Sequence, residues 1–237
     1  MKKLEQIYEG KAKKVFKTED ADLLIVDYKD DATAFNGEKK GQIAGKGVIN
    51  NRMSNMMMQM LEKKGVPSHF VEELSDRETV VKAVTIMPLE VIVRNISAGS
   101  FAKRYGVEEG IVFDNPTFEV SYKNDELGDP LMCESHAIAL GIATPEEIEI
   151  IKNYAFKVNE GLKEFFLECG LKLVDFKIEF GKTSKGEIIL ADEISPDTCR
   201  LWDVETNKKM DKDRFRRDLG DVEETYKEVF ERIKNNG

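Results

Sequence analysis

The amino-acid sequence predicts an α+β fold of two lobes. Strand-like runs crowd the first hundred residues, and helical patterns dominate later. A second strand pair, at 171–180 and 187–193, then follows the longest helical pattern.

Residues 8–16 and 23–28 read as strands, and 36–47, rich in glycine and lysine, as a long mobile loop. Met53, Met56, Met57, Met60 and Leu61 recur at helical spacing as a core-facing stripe, and Gly65 and Pro67 stop that helix. Strand patterns return at 79–84 and 89–96, and 124–130 is loop-like. Thr144, Pro145 and Glu147 announce the next helix: a capping threonine, proline at the first helical position, and a glutamate closing the box. Ile148, Ile151, Ala155, Val158, Leu162, Phe165 and Cys169 line its apolar face, and Gly170 ends it, so Cys169 reads as core filler. The strands 171–180 and 187–193 fold back about a turn at 183–186, and 222–233 forms a final amphipathic helix.

Composition narrows the function classes. The 237 residues are 41% hydrophobic and 34% charged, as in a soluble enzyme, and no apolar run is long enough to span a membrane. The first residues are polar, without the apolar core of a signal peptide. Three widely spaced cysteines offer neither a disulfide framework nor a CxxC metal site, so a cytoplasmic location is expected and the Asn95-Ile96-Ser97 sequon is accidental. A net charge of −9 argues against nucleic acid as a partner, though not against one small phosphorylated ligand. The two histidines, His69 and His136, sit in unrelated contexts, so zinc sites and Ser-His or Cys-His catalysis are disfavoured. Carboxylates, lysines, arginines and a bound metal are left to carry any chemistry.

Three segments offer such groups. In 173–181, strand alternation puts Val174, Phe176, Ile178 and Phe180 on one face and Asp175, Lys177 and Glu179 on the other. Reflection about the turn brings Glu179 near Asp192. Two adjacent carboxylates repel unless a cation lies between them, and Mg²⁺ commonly uses one or two carboxylates plus nucleotide phosphates. A solvated charged face is the other reading. Relief of that repulsion would leave the fold at least as stable after either acid is neutralised. The second segment, 8–16, sets Gly10 among Lys11, Lys13 and Lys14, which suits either phosphate contact or a solvated face; it is not a Walker A loop. In the third, 86–100, an apolar strand runs through Arg94 into a small-residue turn at Ser100 that should start a helix near Phe101. That is either a phosphate cradle or a plain helix cap.

The runs 86–100 and 173–181 both resemble the signature motifs of SAICAR synthetases. The similarity continues through 8–13, 123–125 with 129–130, 192–197, 200–203 and 211–216, in order and over nearly the whole chain. The resemblance implies a fold akin to protein kinases and ATP-grasp enzymes: an ATP-binding lobe at 1–86, a metal and substrate lobe at 87–237, and ATP between them. Gly10, Lys11 and Lys13 would cover the phosphates, Lys82 would hold them, and the backbone from Met87 to Leu89 would meet adenine. Glu179 and Asp192 would bind Mg²⁺. Arg94, Ser100 and Arg200, with Asp175, would bind the nucleotide substrate. Lys177 and Arg216 would line the reacting carboxylate, and Lys123 and Asp129 would receive aspartate.

The activity so implied joins L-aspartate to carboxyaminoimidazole ribonucleotide with ATP, giving SAICAR, ADP and phosphate in purine biosynthesis, through an acyl phosphate. A homodimer is left open. A small-molecule kinase of related fold, indifferent to aspartate, and a non-catalytic nucleotide-binding regulator are the alternatives.

Overall fold

The computed structural model describes residues 1–34 and 37–236. The chain opens with strands β1 (Gln6–Glu9), β2 (Lys13–Lys17), β3 (Leu23–Tyr28), β4 (Asp31–Ala34) and β5 (Lys39–Gln42), then helix α1 (Lys46–Lys63). Strands β6 (Phe70–Glu73), β7 (Glu78–Lys82) and β8 (Thr85–Ile96) precede α2 (Gly99–Tyr105), β9 (Val112–Tyr122) and β10 (Leu131–Met132). Helices α3 (Glu134–Ala139) and α4 (Pro145–Glu168) lead to β11 (Leu171–Lys182), β12 (Ile188–Ala191) and β13 (Cys199–Asp203). Helices α5 (Asp213–Arg216) and α6 (Val222–Lys234) complete the order.

Two antiparallel sheets carry the architecture. The first runs β1-β2-β3-β7-β6; the second runs β10-β9-β8-β11-β12, with β13 also on β11. Helices α1 and α4 bury Met53, Met57, Leu61, Ile151, Leu162 and Phe166 against Val91, Val93, Phe176 and Ile178 of the second sheet. The α4 capping box forms as expected, with Glu147 N–H donating to Thr144 Oγ1 and Thr144 N–H to Glu147 Oε2. On that helix Phe166 is fully buried, while Phe165, the residue expected there, is half-buried. Gly45 starts α1 without a side-chain cap of its own. Instead the Asp30 carboxylate accepts the N–H groups of Gly45 and Gly47 and is gripped by both terminal nitrogens of Arg77.

Four expectations change. Residues 8–16 are not one strand but the hairpin β1–β2, because the chain turns at residues 10–12, where Gly10 N–H donates to Lys13 O at 2.9 Å. The stretch 36–47, expected as a loop, contains β5, paired with β4, and the start of α1; Phe35 and Asn36 lie outside the described residues. The strand phase of β11 shifts at a bulge between Leu173 and Asp175. Val174 therefore packs with Ile96, Ala98 and Trp202, away from Phe176, Ile178 and Phe180. Finally, Asp175 and Glu179 are buried, so the charged side of β11 is not a solvated face.

Candidate active site

A cavity of about 940 Å³ opens between the β1–β2 turn, the β4–β5 hairpin and the second sheet. Among the described residues its wall carries ten Lys or Arg and nine Asp or Glu, a local excess of cations in a chain of net charge −9, which favours a polyanionic ligand.

The inner wall is a lysine–carboxylate cluster built by strand register. Glu179 on β11 lies opposite Ala191 on β12, and the next residue, Asp192, adopts φ 61°. Aspartate tolerates that left-handed conformation better than most residues, and here it accompanies a carboxylate on the cavity wall. Lys177 Nζ donates to Glu179 Oε1 at 2.7 Å and to Asp192 Oδ2 at 3.2 Å, and lies 3.4 Å from Glu90 Oε1. Lys13 donates to Asp192 and to Glu193 Oε2, the latter at 2.8 Å, and Lys123 donates to Glu179 Oε1 at 2.7 Å. The cation between the two acids is thus an ammonium group. Burial pushes the Asp192 carboxyl up, but Lys13 and Lys177 outweigh it and hold it well below the usual carboxylate range. Burial likewise lowers Lys177, and Asp192, Glu179 and Glu90 more than restore its charge.

The outer wall is an arginine–carboxylate ladder that crosses the sheet. Asp175 on β11 pairs in register with Arg94 on β8 and with Arg200 on β13. Its Oδ2 accepts from Arg94 Nη1 at 2.8 Å and from Arg200 Nη1 at 2.9 Å. Beyond Arg94, Glu119 on β9 takes Nε at 2.9 Å and Nη2 at 3.1 Å; beyond Arg200, Asp213 takes Nε at 3.0 Å. Arg216 closes the row on Asp213 at 2.7 Å, and Ser100 Oγ accepts from Arg94 Nη2 at 3.3 Å. Such buried alternating charges hold the guanidinium planes in fixed orientations.

A third group centres on Asp197 of the cavity wall, where fully buried Lys46 donates to its Oδ2 at 2.8 Å and Tyr226 of α6 donates its hydroxyl to its Oδ1 at 2.5 Å.

The SAICAR synthetase family model matches residues 6–233. The chain belongs to the SAICAR synthetase family. It is 67% identical to a phosphoribosylaminoimidazole-succinocarboxamide synthase of Lachnoclostridium phytofermentans, over 98% of this chain and 99% of that protein. The corresponding synthase of Caldanaerobacter subterraneus is 60% identical over 99% of each chain. Among solved structures, the synthase of Ehrlichia chaffeensis superposes with TM-score 0.95 at 48% identity, covering 97% of this chain and 98% of that one. A SAICAR synthetase in complex with ADP superposes with TM-score 0.93 at 49% identity, covering 96% and 97%.

In this SAICAR synthetase family member, the cavity wall brings together Gly10, Lys11, Lys13, Arg94, Ser100, Lys123, Asp129, Asp175, Lys177, Glu179, Asp192, Arg200 and Arg216. Lys82, Met87 and Leu89 are not in that wall. Lys82 donates to Ser68 O at 2.9 Å, and the Met87 and Leu89 side chains are buried in the core. Lys11 crosses the mouth to Asp125 at 3.0 Å, and Asp129 Oδ1 accepts the Asn124 N–H, shaping its own turn. Sequence reasoning passed over Glu90, Glu119, Glu193, Asp197 and Asp213. Glu119 sits on β9, which the sequence reading did not identify; only the register of β8 with β9 brings it diagonally beside Arg94.

Among the described residues no group of three or more His, Cys, Asp or Glu side chains could hold a metal by itself. Two carboxylates, Glu179 and Asp192, do meet one ammonium nitrogen within 3.2 Å at the cavity wall. That donor set fits Mg²⁺, which completes its shell with waters and phosphate oxygens. No helix among the described residues is long and apolar enough to cross a membrane.

Proposed function

We propose that this chain joins L-aspartate to carboxyaminoimidazole ribonucleotide with ATP, yielding SAICAR, ADP and phosphate. One observation carries the proposal: a family match over residues 6–233 coincides with a cavity whose inner wall is lysines and carboxylates and whose outer wall is arginines. The ADP complex of a relative 49% identical supports nucleotide binding by this chain. We place ATP between two lobes, 1–86 and 87–237, in the manner of protein kinases and ATP-grasp enzymes. In support, the first sheet is built from strands within 6–82 and the second from strands within 85–203.

In the proposed chemistry a substrate carboxylate oxygen attacks the γ-phosphorus of ATP, and the bond to the β-bridging oxygen breaks as ADP leaves. The amine of aspartate then attacks the acyl carbon, the carbon–oxygen bond to phosphate breaks, and the amine loses its proton to solvent. Neither step needs a protein nucleophile; both need charge neutralisation and alignment. Lys11 and Lys13, in and just after the β1–β2 turn, would meet the phosphates, with Gly10 allowing close backbone approach. Lys82 would hold the phosphates from its strand, and the Met87–Leu89 backbone would lie toward adenine. Lys177 and Arg216 would flank the reacting carboxylate, and Lys123 and Asp129 would receive aspartate. Glu179 and Asp192 would hold Mg²⁺, which when bound supplies positive charge to phosphate oxygens. The three lysines now on those acids would then turn to anionic ligands. Arg94, Ser100 and Arg200 would take the ribose phosphate, with Asp175 fixing the two guanidiniums. A cytoplasmic location accords with three free cysteines.

Measuring ADP release with each substrate omitted in turn tests the reading. Sustained release should require both aspartate and the ribonucleotide. Full turnover without aspartate would assign a small-molecule kinase instead.

A further inference from the structure

Two cavity arginines, Arg200 and Arg216, share a carboxylate that has almost no access to solvent. Asp213, the first residue of α5, is 1% exposed. Its Oδ2 accepts from Arg200 Nε at 3.0 Å and its Oδ1 from Arg216 Nη1 at 2.7 Å. The Asp213 N–H in turn donates to Asp211 Oδ1 at 2.7 Å, while Asp211 Oδ2 accepts the Leu201 N–H at 2.8 Å. Fully buried Asp211 therefore clamps the start of α5 to β13, beside Arg200. Burial pushes the Asp213 carboxyl up, and Arg200 and Arg216 outweigh it, so Asp213 stays ionised.

The consequence for Arg200 is geometric. Its Nε is taken by Asp213 and its Nη1 by Asp175, at 2.9 and 3.1 Å, so among the described residues Nη2 is the nitrogen left to meet a ligand. That nitrogen lies against the turn leading to Ser100: a Cβ added at Gly99 would come within 2.3 Å of it. Arg216 is pinned on one terminal nitrogen, and among the described residues the other makes no hydrogen bond. One carboxylate thus fixes which edges of two guanidiniums face the cavity, and it offsets their mutual repulsion.

We propose that Asp213 is a positioning residue that aims Arg200 at the phosphate and Arg216 at the carboxylate of the ribonucleotide, and so sets affinity for that substrate without touching it. The inference rests on the proposed function. Asp213→Asn keeps the shape and removes the charge; an amide can accept from one arginine but presents N–H to the other. The affinity of this variant for carboxyaminoimidazole ribonucleotide, measured calorimetrically without ATP, should fall about tenfold or more. ADP affinity should be unchanged. Asp213→Glu should give an intermediate loss confined to the ribonucleotide, and it carries the test if the asparagine variant does not fold. In an Arg216→Gln background, Asp213→Asn should weaken the ribonucleotide less than it does in the wild type, since part of its effect runs through Arg216. Unchanged ribonucleotide affinity, an equal loss for ADP, or fully independent effects of the two substitutions would overturn the role. Wild-type turnover is measured alongside. Aspartate-dependent turnover with normal ribonucleotide binding by Asp213→Asn sinks only the positioning role. Ribonucleotide binding without aspartate-dependent turnover in the wild type sinks the proposed reaction alone, and a wild type that binds no ribonucleotide sinks both.

Discussion

Lys13 and Asp192, 179 positions apart in the chain, meet as an ion pair on the inner wall of the cavity. The contact joins β2 of the first sheet to the residue that follows β12 of the second. It also pairs the lysine expected at ATP phosphates with the acid expected at the metal, so each neutralises the other until ligands bring partners for both.

Neutralising that acid should cost both activity and stability. Asp192→Asn and Glu179→Gln should each lower turnover by about a hundredfold or more. The sequence pointed to relief of repulsion and no loss of stability. The structure reverses that, because Lys13, Lys123 and Lys177 crowd these two carboxylates and would lose a partner. Unfolding of Asp192→Asn at pH 7 should show a loss of about 1–3 kcal/mol. The folded Asp192 pKa is depressed, so its stabilisation is present above the unfolded value, about 3.9, and is lost as pH falls through the folded value. The gap between wild type and variant should therefore narrow in acid. A variant as stable as the wild type at pH 7 would remove the lysine–acid cluster as a stabilising element.

Arg94→Lys and Arg200→Lys should weaken the ribonucleotide more than ATP, since lysine offers a point charge in place of a planar fork. Arg94→Lys should also destabilise by about 2 kcal/mol, because Glu119 and Asp175 lose charge-assisted hydrogen bonds in a buried setting. Equal losses for both ligands in calorimetry would argue for a shared site or general distortion.

Asp211 should titrate far from an ordinary aspartate. Burial first, and the neighbouring Asp213 second, push its carboxyl up to about 7. The sign follows: a carboxyl raised on folding stabilises most below its unfolded pKa of about 3.9, and that contribution is lost as pH rises through 7. Carboxyl-carbon NMR should show one aspartate with a midpoint near neutrality. A set of aspartates all titrating below pH 5 would contradict this.

Much of this is legible in the amino-acid sequence. The α4 capping box, the β11–β12 hairpin and the nearness of Glu179 to Asp192 all follow from local pattern, because turns and caps are written in a few adjacent residues. What local pattern could not show was whatever depends on register between distant strands. The Asp175 clamp on Arg94 and Arg200 needs β8, β11 and β13 side by side, and the bulge at Leu173 moves Val174 to another core. The β4–β5 hairpin was missed because its Gly/Lys-rich sequence lacks the apolar alternation of a strand. Lys82, which the resemblance implies as a phosphate ligand, donates to the Ser68 carbonyl, a contact set by the fold and not by local pattern.

The cysteines should be dispensable for chemistry. Burial raises the Cys169 thiol to about 11 and Cys199 further still, so neither offers a thiolate near neutral pH; Cys133 is exposed on α3's cap. The triple Cys→Ser variant should keep its turnover and lose some stability at the two buried positions. Loss of activity in a variant that remains folded would point to a covalent role.

The most direct test follows the oxygen atoms. With oxygen-18 in the carboxylate of carboxyaminoimidazole ribonucleotide, an acyl-phosphate route transfers one labelled atom to each phosphate released. Phosphate carrying one such atom per turnover is the expected result. Unlabelled phosphate, or an isolable phospho-enzyme that turns over competently, would contradict the account.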